Sequence, residues 1–232
     1  MKKNPVLALP LINIDGQGYD ASCPLCLTSD CVFFLRDKKR DYVKCNQCQL
    51  IHVPKSFQLS CDEEKSIYDL HINNPADLGY RNFLQRFINP LITQLAPAAK
   101  GLDFGSGPGP TLSVMLNELG FSCANYDLYY DHQPSLLLDQ YYDFVTSTEV
   151  VEHLANPHLE FSRLFSLLKP GACLAIMTKR WLSKESFKTW HYIQDPTHIS
   201  FYNEATFSWL AKVFNASLSF PEKDVAIFIK NP

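Results

Sequence analysis

The sequence has no long apolar run, little excess charge of either sign and no recognisable export signal. No stretch of its 232 residues is apolar for long enough to span a membrane. The first ten residues carry two lysines, but Pro5 and Pro10 interrupt their apolar residues and no small-residue cleavage site follows. These absences argue against secretion and against a membrane partner. We therefore expect a cytoplasmic protein whose eight cysteines stay reduced.

The low net charge also limits the classes of partner. Basic and acidic residues nearly balance, at a formal net charge of -3, which gives no support to a large phosphate-binding surface. Apolar residues make up 46% of the chain, so a substantial core can form. The length suits one α/β domain with a small appendage.

Cysteines form two closely spaced pairs near the start of the chain. Cys23 and Cys26 make one C-x2-C pair, and Cys45 and Cys48 make a second after a gap of 18 residues. This spacing is typical of a structural zinc site, in which four thiolates occupy the corners of a tetrahedron. In a reducing compartment the pattern predicts bound Zn²⁺ rather than two disulfides.

The residues between the two pairs predict a zinc ribbon. Segments 32–35 and 41–44 indicate two short strands joined by a charged turn. Zinc binding stabilises a fragment this small outright, so the ribbon can be purely architectural. Its basic turn, with Lys38, Lys39 and Arg40, can alternatively contact nucleic acid, although such a short turn is more often simply solvated.

A glycine-rich turn follows a short apolar strand in the middle of the chain. The stretch reads Gly101-Leu-Asp-Phe-Gly-Ser-Gly-Pro-Gly109, and apolar residues at helical spacing follow at 111–119. Strand, turn and helix form the first unit of a doubly wound nucleotide-binding fold. Asp127 ends a second predicted strand about 20 residues beyond the glycines, where an acid can bind ribose hydroxyls. No P-loop lysine follows the turn, so the predicted ligand is a nucleoside without phosphates.

Together these motifs resemble the class I methyltransferases that use S-adenosylmethionine (SAM). The run Tyr142-Asp-Phe-Val-Thr-Ser-Thr-Glu-Val-Val-Glu-His-Leu154 and the later run Leu168-Lys-Pro-Gly-Ala-Cys-Leu-Ala-Ile-Met177 also match. Four motifs occur in the order of the family and cover roughly residues 76–232. The predicted SAM-binding residues are Asp103, Gly105, Ser106, Gly107, Gly109, Asp127, Leu128, Glu149 and Val150.

Candidate catalytic residues follow from the chemistry of methyl transfer. Displacement at a sulfonium needs mainly alignment, but an acceptor that must lose a proton also needs a base, and histidine suits that work. The resemblance places His153 near the transferable methyl group, which makes it the first candidate. His191 and His198, from the aromatic segment 179–203, are the second candidates.

The same segment offers a second interpretation. His191, Asp195 and His198 form a loose metal-ligand pattern. We favour instead that His198 orders the loop or contacts the acceptor, and that Asp195 or Thr197 caps the local backbone.

The predicted architecture is α/β, a Rossmann-like doubly wound sheet of seven strands with the last strand antiparallel, plus a small N-terminal zinc-ribbon subdomain. We predict a leader and ribbon at 1–55, a linker at 56–75 and a methyltransferase domain at 76–232. The domain is expected to begin with a helix at 80–95 that is interrupted or kinked near Pro90.

The leading hypothesis is SAM-dependent methyl transfer to a small-molecule or carrier-bound acceptor, with structural Zn²⁺ as a second cofactor. Two alternatives stay open: an RNA methyltransferase that uses the ribbon to contact its substrate, and a non-catalytic binding module that keeps the fold. The near-neutral charge and the aromatic segment favour a small molecule over nucleic acid. A dinucleotide oxidoreductase is disfavoured because the turn lacks G-x-G-x-x-G spacing.

Overall fold

The computed structural model describes residues 11–12, 18–19, 22–70 and 73–232. Most of the predicted leader lies outside these residues, apart from two short antiparallel strands, β1 (Leu11–Ile12) and β2 (Gly18–Tyr19). None of the helices in the described ranges combines the length and the apolar character that crossing a bilayer requires.

A six-stranded sheet forms the centre of the main domain. Its strands are β6 (Lys100–Phe104), β7 (Ser122–Tyr126), β8 (Tyr142–Thr148), β9 (Leu168–Met177), β11 (Ala216–Glu222) and β12 (Val225–Lys230). They lie side by side in the order β11-β12-β9-β8-β6-β7. Strands β6 to β9 are parallel, whereas β12 runs antiparallel to β9 and β11 antiparallel to β12. The doubly wound α/β class and the antiparallel last strand are confirmed.

The prediction of seven strands is corrected to six within the described residues. The segment between β7 and β8 forms a bridge between Asp127 and Asp131 and a 3-10 turn at Pro134–Leu136, and it adds no strand to the sheet. A parallel neighbour needs a crossover of about a dozen residues or more, and the short segment cannot supply both crossover and strand. Strand β7 is therefore the edge of the sheet.

Helices cover both faces of this sheet. They are α2 (Leu78–Ile92), α3 (Thr111–Glu118), α4 (Pro157–Leu167) and α6 (Glu204–Val213). Because successive strand residues point to opposite faces, Ala175 of β9 packs with α2 and α3, and Leu174 packs with α4 and α6. Helix α2 begins at the Asp77 cap and continues through Pro90 for two more residues, so the predicted interruption falls at its end.

The cysteine-rich region forms a second sheet that the main domain completes. Strands β3 (Cys31–Arg36), β4 (Asp41–Cys45) and β5 (Ile51–His52) form an antiparallel ribbon, which confirms both predicted strands. A fourth strand, β10 (Ser200–Phe201), comes from the main domain and pairs with β5. The ribbon is therefore joined to the main domain by backbone hydrogen bonds.

Two segments contain more regular secondary structure than the sequence indicates, namely the predicted linker 56–75 and the aromatic segment 179–203. The predicted linker contains α1 (Cys61–Tyr68), whose start carries a reciprocal Ser60–Glu63 capping box. The aromatic segment contains α5 (Lys184–Lys188) and a 3-10 turn at His191–Gln194. Its Phe187 ring packs at 5.2 Å from Tyr42 of the ribbon, so aromatic burial orders this segment.

Candidate active site

The glycine turn between β6 and α3 forms the floor of a large cavity at the carboxyl edge of the sheet. Gly105 and Gly107 have φ angles of +83° and +65°, a region that side chains disfavour. A Cβ on Gly105 would lie 2.4 Å from Val150, and one on Gly109 would lie 2.1 Å from the backbone oxygen of Asn73. The turn therefore requires glycine both for its conformation and for close approach of neighbouring backbone.

Asp127 lies at the end of β7, beside this turn. Its Oδ2 accepts the Gly107 N–H at 2.9 Å, and its Oδ1 accepts the N–H groups of Tyr129 and Tyr130 at 2.8 and 3.0 Å. These bonds hold the carboxylate at the cavity wall and tie the glycine turn to β7. Leu128, in the predicted SAM-binding set, is exposed at the same wall.

Two more carboxyl groups lie in this part of the cavity. Asp103 is buried and accepts a hydrogen bond from the Thr146 hydroxyl at 2.9 Å, and burial raises its pKa to about 7. Glu149 follows β8 in a left-handed conformation with φ of +54°. Burial, and then the charge of Glu152, raise the pKa of Glu149 to about 8.

Glu149 also has an unsatisfied oxygen. Among the described residues, no donor bonds its buried Oε1, and the same holds for the Ser106 hydroxyl in the glycine turn. A buried orphan acceptor is costly unless a ligand supplies a donor or a positive charge. A left-handed non-glycine residue is strained, and such strain clusters at functional sites.

Two histidines that line the same cavity lie against each other. The rings of His153 and His198 lie 4.7 Å apart between centroids, and Tyr68 of α1 packs edge-on against His153 at 5.3 Å. The Nδ1 atom of His153 faces the Thr197 carbonyl at 3.2 Å, and that of His198 faces the Tyr192 carbonyl at 2.8 Å. These partners favour Nδ1–H tautomers, in which Nε2 is the basic nitrogen.

Glu152, a residue without a predicted role, lies beside these histidines. Glu152 is fully buried, and its carboxylate accepts hydrogen bonds from the Thr178 hydroxyl at 2.9 Å and from the Tyr192 hydroxyl. Burial raises its pKa. One ligand atom each of Glu152, His153 and His198 lies within 4.8 Å of the others. The sequence feature that could have identified Glu152 is the run from Glu149 to His153, because this run contains a second acid directly before the histidine.

The electrostatics of this group favour a neutral base. Burial lowers the pKa of His198, and the nearby His153 lowers it further. A histidine that is neutral near pH 7 can accept a proton. The group can therefore remove a proton from a molecule bound in the cavity.

His191, the third predicted catalytic histidine, lies apart from this pair. It lines the same cavity, but its Nε2 contacts the Lys179 ammonium at 2.9 Å in an exposed position. The metal pattern of His191, Asp195 and His198 is not assembled in the described residues. Asp195 instead accepts bonds from the N–H and hydroxyl of Thr197 at 2.9 and 2.6 Å, as the capping interpretation predicts.

Helix α1 covers the cavity, which has a volume of about 880 Å³. Glu64 of α1 accepts hydrogen bonds from the hydroxyls of Tyr68 at 2.8 Å and Tyr129 at 3.1 Å. One residue beyond α1, Asp69 accepts the Tyr130 hydroxyl at 2.8 Å. The segment predicted as a linker therefore contributes a wall of the site, together with Tyr80 of α2.

The four predicted zinc ligands lie together at the far end of the ribbon. Cys23 and Cys48 have Sγ atoms 3.5 Å apart, and those of Cys26 and Cys45 are 3.4 Å apart. All four sulfur atoms lie within 4.8 Å of one another. Tetrahedral Zn–S bonds imply sulfur separations of roughly 3.8 Å. None of the eight cysteines is in a disulfide, which contradicts the disulfide alternative.

The basic turn of the ribbon divides into two kinds of residue. Lys38 and Lys39 are exposed, in agreement with a solvated turn. Arg40 is buried and bonds backbone carbonyls of the main domain, so the interpretation as a solvated or nucleic-acid-binding side chain is wrong for this residue.

Comparisons with known proteins agree with this geometry. The chain resembles magnesium protoporphyrin IX methyltransferase from Synechocystis PCC 6803, solved with bound SAH, at 16% identity over 73% of this chain and 94% of that one, with a TM-score of 0.50. It also resembles the PH0226 protein of Pyrococcus horikoshii OT3, at 14% identity over 72% and 98% of the two chains, with a TM-score of 0.50.

A third similar structure is a candidate sarcosine dimethylglycine methyltransferase from Galdieria sulphuraria, at 20% identity over 59% of this chain and a TM-score of 0.47. The match spans only 60% of that protein's length. The two structures with a TM-score of 0.50 show that the chain shares their fold. No curated protein sequence matches the chain significantly.

A family model described as a methyltransferase domain matches residues 78–218, which is more than half of the chain. The match contains the glycine turn, Asp127 and the run from Glu149 to His153, the motifs on which the resemblance was based. The chain therefore belongs to the methyltransferase domain family, as a SAM-dependent methyltransferase.

Proposed function

We propose that this enzyme transfers the methyl group of SAM to a small-molecule or carrier-bound acceptor that loses a proton in the reaction. The observation that carries the proposal is the pairing of two features in one cavity. Glu149 is buried near the glycine turn, and its Oε1 has no partner among the described residues. The same cavity is lined by the buried His198 and the half-buried His153, whose rings are in contact.

The residues of the cavity fit SAM. The glycine turn lines the cavity, and Glu149 and Ser106 offer buried polar atoms that lack partners among the described residues. SAM, when bound, supplies an activated methyl group on a positively charged sulfur. Asp127 is suited to accept ribose hydroxyls, and the carboxyl groups of Asp103 and Glu149 favour the positive charge when ionised.

The histidine pair is suited to the acceptor side. In this proposal His153 takes the proton from the acceptor through Nε2, and its Nδ1–H stays bonded to the Thr197 carbonyl. Glu152, when ionised, stabilises the positive charge that His153 gains, because a carboxylate beside a histidine favours its protonated form. Tyr68 contacts the His153 ring and limits the size of the acceptor there.

A small or carrier-bound acceptor is favoured over RNA by the charges around the cavity. The acids Glu64, Asp127 and Asp195 line it, against the cations Arg163 and Lys179. Polyanionic RNA is bound through clusters of lysine and arginine.

Labelled methyl transfer tests the proposal. The enzyme and SAM with a labelled methyl group would be incubated in two reactions. One reaction contains the small-molecule fraction of cells that express the protein, and the other contains their RNA fraction. We expect label in the small-molecule or carrier fraction, at a rate that falls sharply for His153→Ala. Label in RNA would favour the alternative acceptor, and label in neither fraction would contradict the proposal.

The four clustered cysteines fit a structural Zn²⁺, since four thiolates complete a tetrahedral shell and leave no open position for catalysis. We propose that this ion stabilises the ribbon.

A further inference from the structure

Arg40 lies in the turn between β3 and β4, a turn that its own residues hold rigid. The Asp37 carboxylate accepts the N–H groups of Lys39 and Arg40 at 2.7 and 2.8 Å. It also accepts the Tyr42 hydroxyl at 2.7 Å, and the Arg40 Nε–H donates to that hydroxyl at 3.0 Å. The guanidinium therefore leaves the ribbon in a fixed direction.

The guanidinium reaches across to one short segment of the main domain. It donates to the backbone carbonyls of Ile193 at 2.9 Å, Asp195 at 2.8 Å and Pro196 at 3.0 Å. Arg40 is 6% exposed, so water has little access to these bonds. A planar guanidinium with several N–H groups can span three carbonyls, which the single ammonium of a lysine cannot do in the same geometry.

The residues that flank this segment orient both histidines of the site. Tyr192 precedes it and offers the carbonyl that meets His198 Nδ1, and Thr197 follows it and offers the carbonyl that meets His153 Nδ1. A shift of the segment would therefore turn both imidazole rings. The ribbon also fixes the far end of the segment, because the Val53 N–H donates to the Ile199 carbonyl at 2.9 Å.

We propose that Arg40 is a positioning residue through which the zinc ribbon sets the orientation of His153 and His198. Its three carbonyl bonds hold residues 193–196 in place, and the adjoining carbonyls then fix the Nδ1–H tautomer and the ring plane of each histidine. The ribbon is thus a part of the acceptor site as well as a folded appendage. This inference rests on the proposed function in one respect, that these two histidines meet the acceptor.

The test compares Arg40→Ala and Arg40→Lys with Lys39→Ala, which removes a charge from the same turn but no contact to the segment. Hydrogen exchange would be followed by mass spectrometry, histidine tautomers by nitrogen-15 NMR, and SAM affinity by calorimetry. We expect Lys39→Ala to match the unaltered protein. Both Arg40 variants should exchange about tenfold faster or more at residues 192–198, and their histidine signals should change, with SAM affinity unchanged.

Several results would overturn the inference. Exchange and histidine signals in both Arg40 variants that match the unaltered protein would show that the three bonds do not position the segment. If Arg40→Lys, but not Arg40→Ala, kept the hydrogen exchange and histidine signals of the unaltered protein, the charge of Arg40 and not its guanidinium geometry would position the segment. Loss of protection across β6 to β9 would indicate a general folding role. The NMR and exchange results do not depend on turnover, so failure of the proposed acceptor chemistry would be seen separately in the methyl-transfer experiment.

Discussion

At the scale of single residues, Asp103 and Glu149 set the charge of the cavity near the glycine turn. Burial raises their pKa values to about 7 and about 8, so both carboxyl groups are largely protonated in mildly acidic solution. Each becomes negative as the pH rises through its pKa. In the proposed function the ionised forms attract the sulfonium of SAM, whereas the demethylated product SAH carries no such charge.

We therefore predict that SAM affinity rises between about pH 6 and pH 8.5 and then levels, and that SAH affinity changes less. Glu149→Gln should weaken SAM binding by roughly tenfold or more near pH 8 and flatten its pH dependence. Calorimetric titration across this range measures both effects. Glu185→Gln, which alters an exposed acid outside the cavity lining, is the matched control. A pH profile of Glu149→Gln equal to that of the unaltered protein would refute the assignment.

The same raised pKa values affect stability. A carboxyl whose folded pKa exceeds its unfolded value near 4 contributes stability that is fully present below that value and lost as pH rises through the folded pKa. For Asp103 this window runs from about pH 4 to about pH 7. Denaturant unfolding of the ligand-free protein should show that Asp103→Asn, which cannot ionise, removes this component. Identical pH slopes for variant and unaltered protein would contradict the pKa.

Substitution can distinguish the roles of His153 and His191, two of the three predicted catalytic histidines. His153→Ala should lower the methyl-transfer rate by about 10² to 10⁴, the usual contribution of a general base, without weakening SAM binding. His191→Ala, which removes an exposed contact to Lys179, should cost much less. Methyl-transfer rates, measured with the cell fraction that accepts label in the experiment proposed above, test this difference. Equal losses for the two variants would contradict the role given to His153.

At the scale of elements, the glycine turn depends on the backbone of the segment before α2. A Cβ on residue 109 would lie 2.1 Å from the Asn73 oxygen, so Gly109→Ala must displace that segment. We predict a loss of about 1 to 3 kcal/mol in the free energy of unfolding and weaker SAM binding. Gly79→Ala is the control, because its Cβ would meet only the end of the Asp77 side chain at 3.2 Å. Thermal unfolding of both variants checks the prediction.

The elements that sequence reasoning identified are those with local signals. Apolar periodicity and the glycine turn give β6 and α3, and regularly spaced cysteines give the ribbon. The Asp127 position and the run from Glu149 to His153 also followed from local patterns. These signals connect residues that are at most 25 positions apart, the separation of Cys23 and Cys48.

The elements that were missed depend on contacts between distant residues. The role of α1 as a wall of the cavity depends on the hydrogen bond that the Tyr129 hydroxyl donates to Glu64, and these two residues are far apart in sequence. The burial of Arg40 requires the carbonyls of Ile193 to Pro196, and a basic turn alone gives no sign of them. Glu152 was overlooked because its partner Tyr192 lies in a segment without periodicity. The absent seventh strand reflects a connection too short to form it.

At the scale of the whole molecule, the ribbon and the methyltransferase domain share one sheet and one core. Strand β10 pairs with β5, and Cys23 and Leu25 of the ribbon belong to the same buried cluster as Phe161 and Tyr202. We predict about one zinc per chain by metal analysis. Removal by a chelator should destabilise the ribbon and segment 192–201 together, as faster hydrogen exchange in both. Metal-free protein with unchanged exchange would contradict the zinc site.

Calorimetric titration of the protein with SAM and with SAH decides whether the cavity binds the methyl donor. We predict one binding site per chain for each ligand, and at least tenfold weaker binding in Asp127→Ala, since this change removes the acid proposed for the ribose and the anchor of the Gly107 N–H. Absence of binding to both ligands, or unaltered affinity in Asp127→Ala, would contradict this prediction.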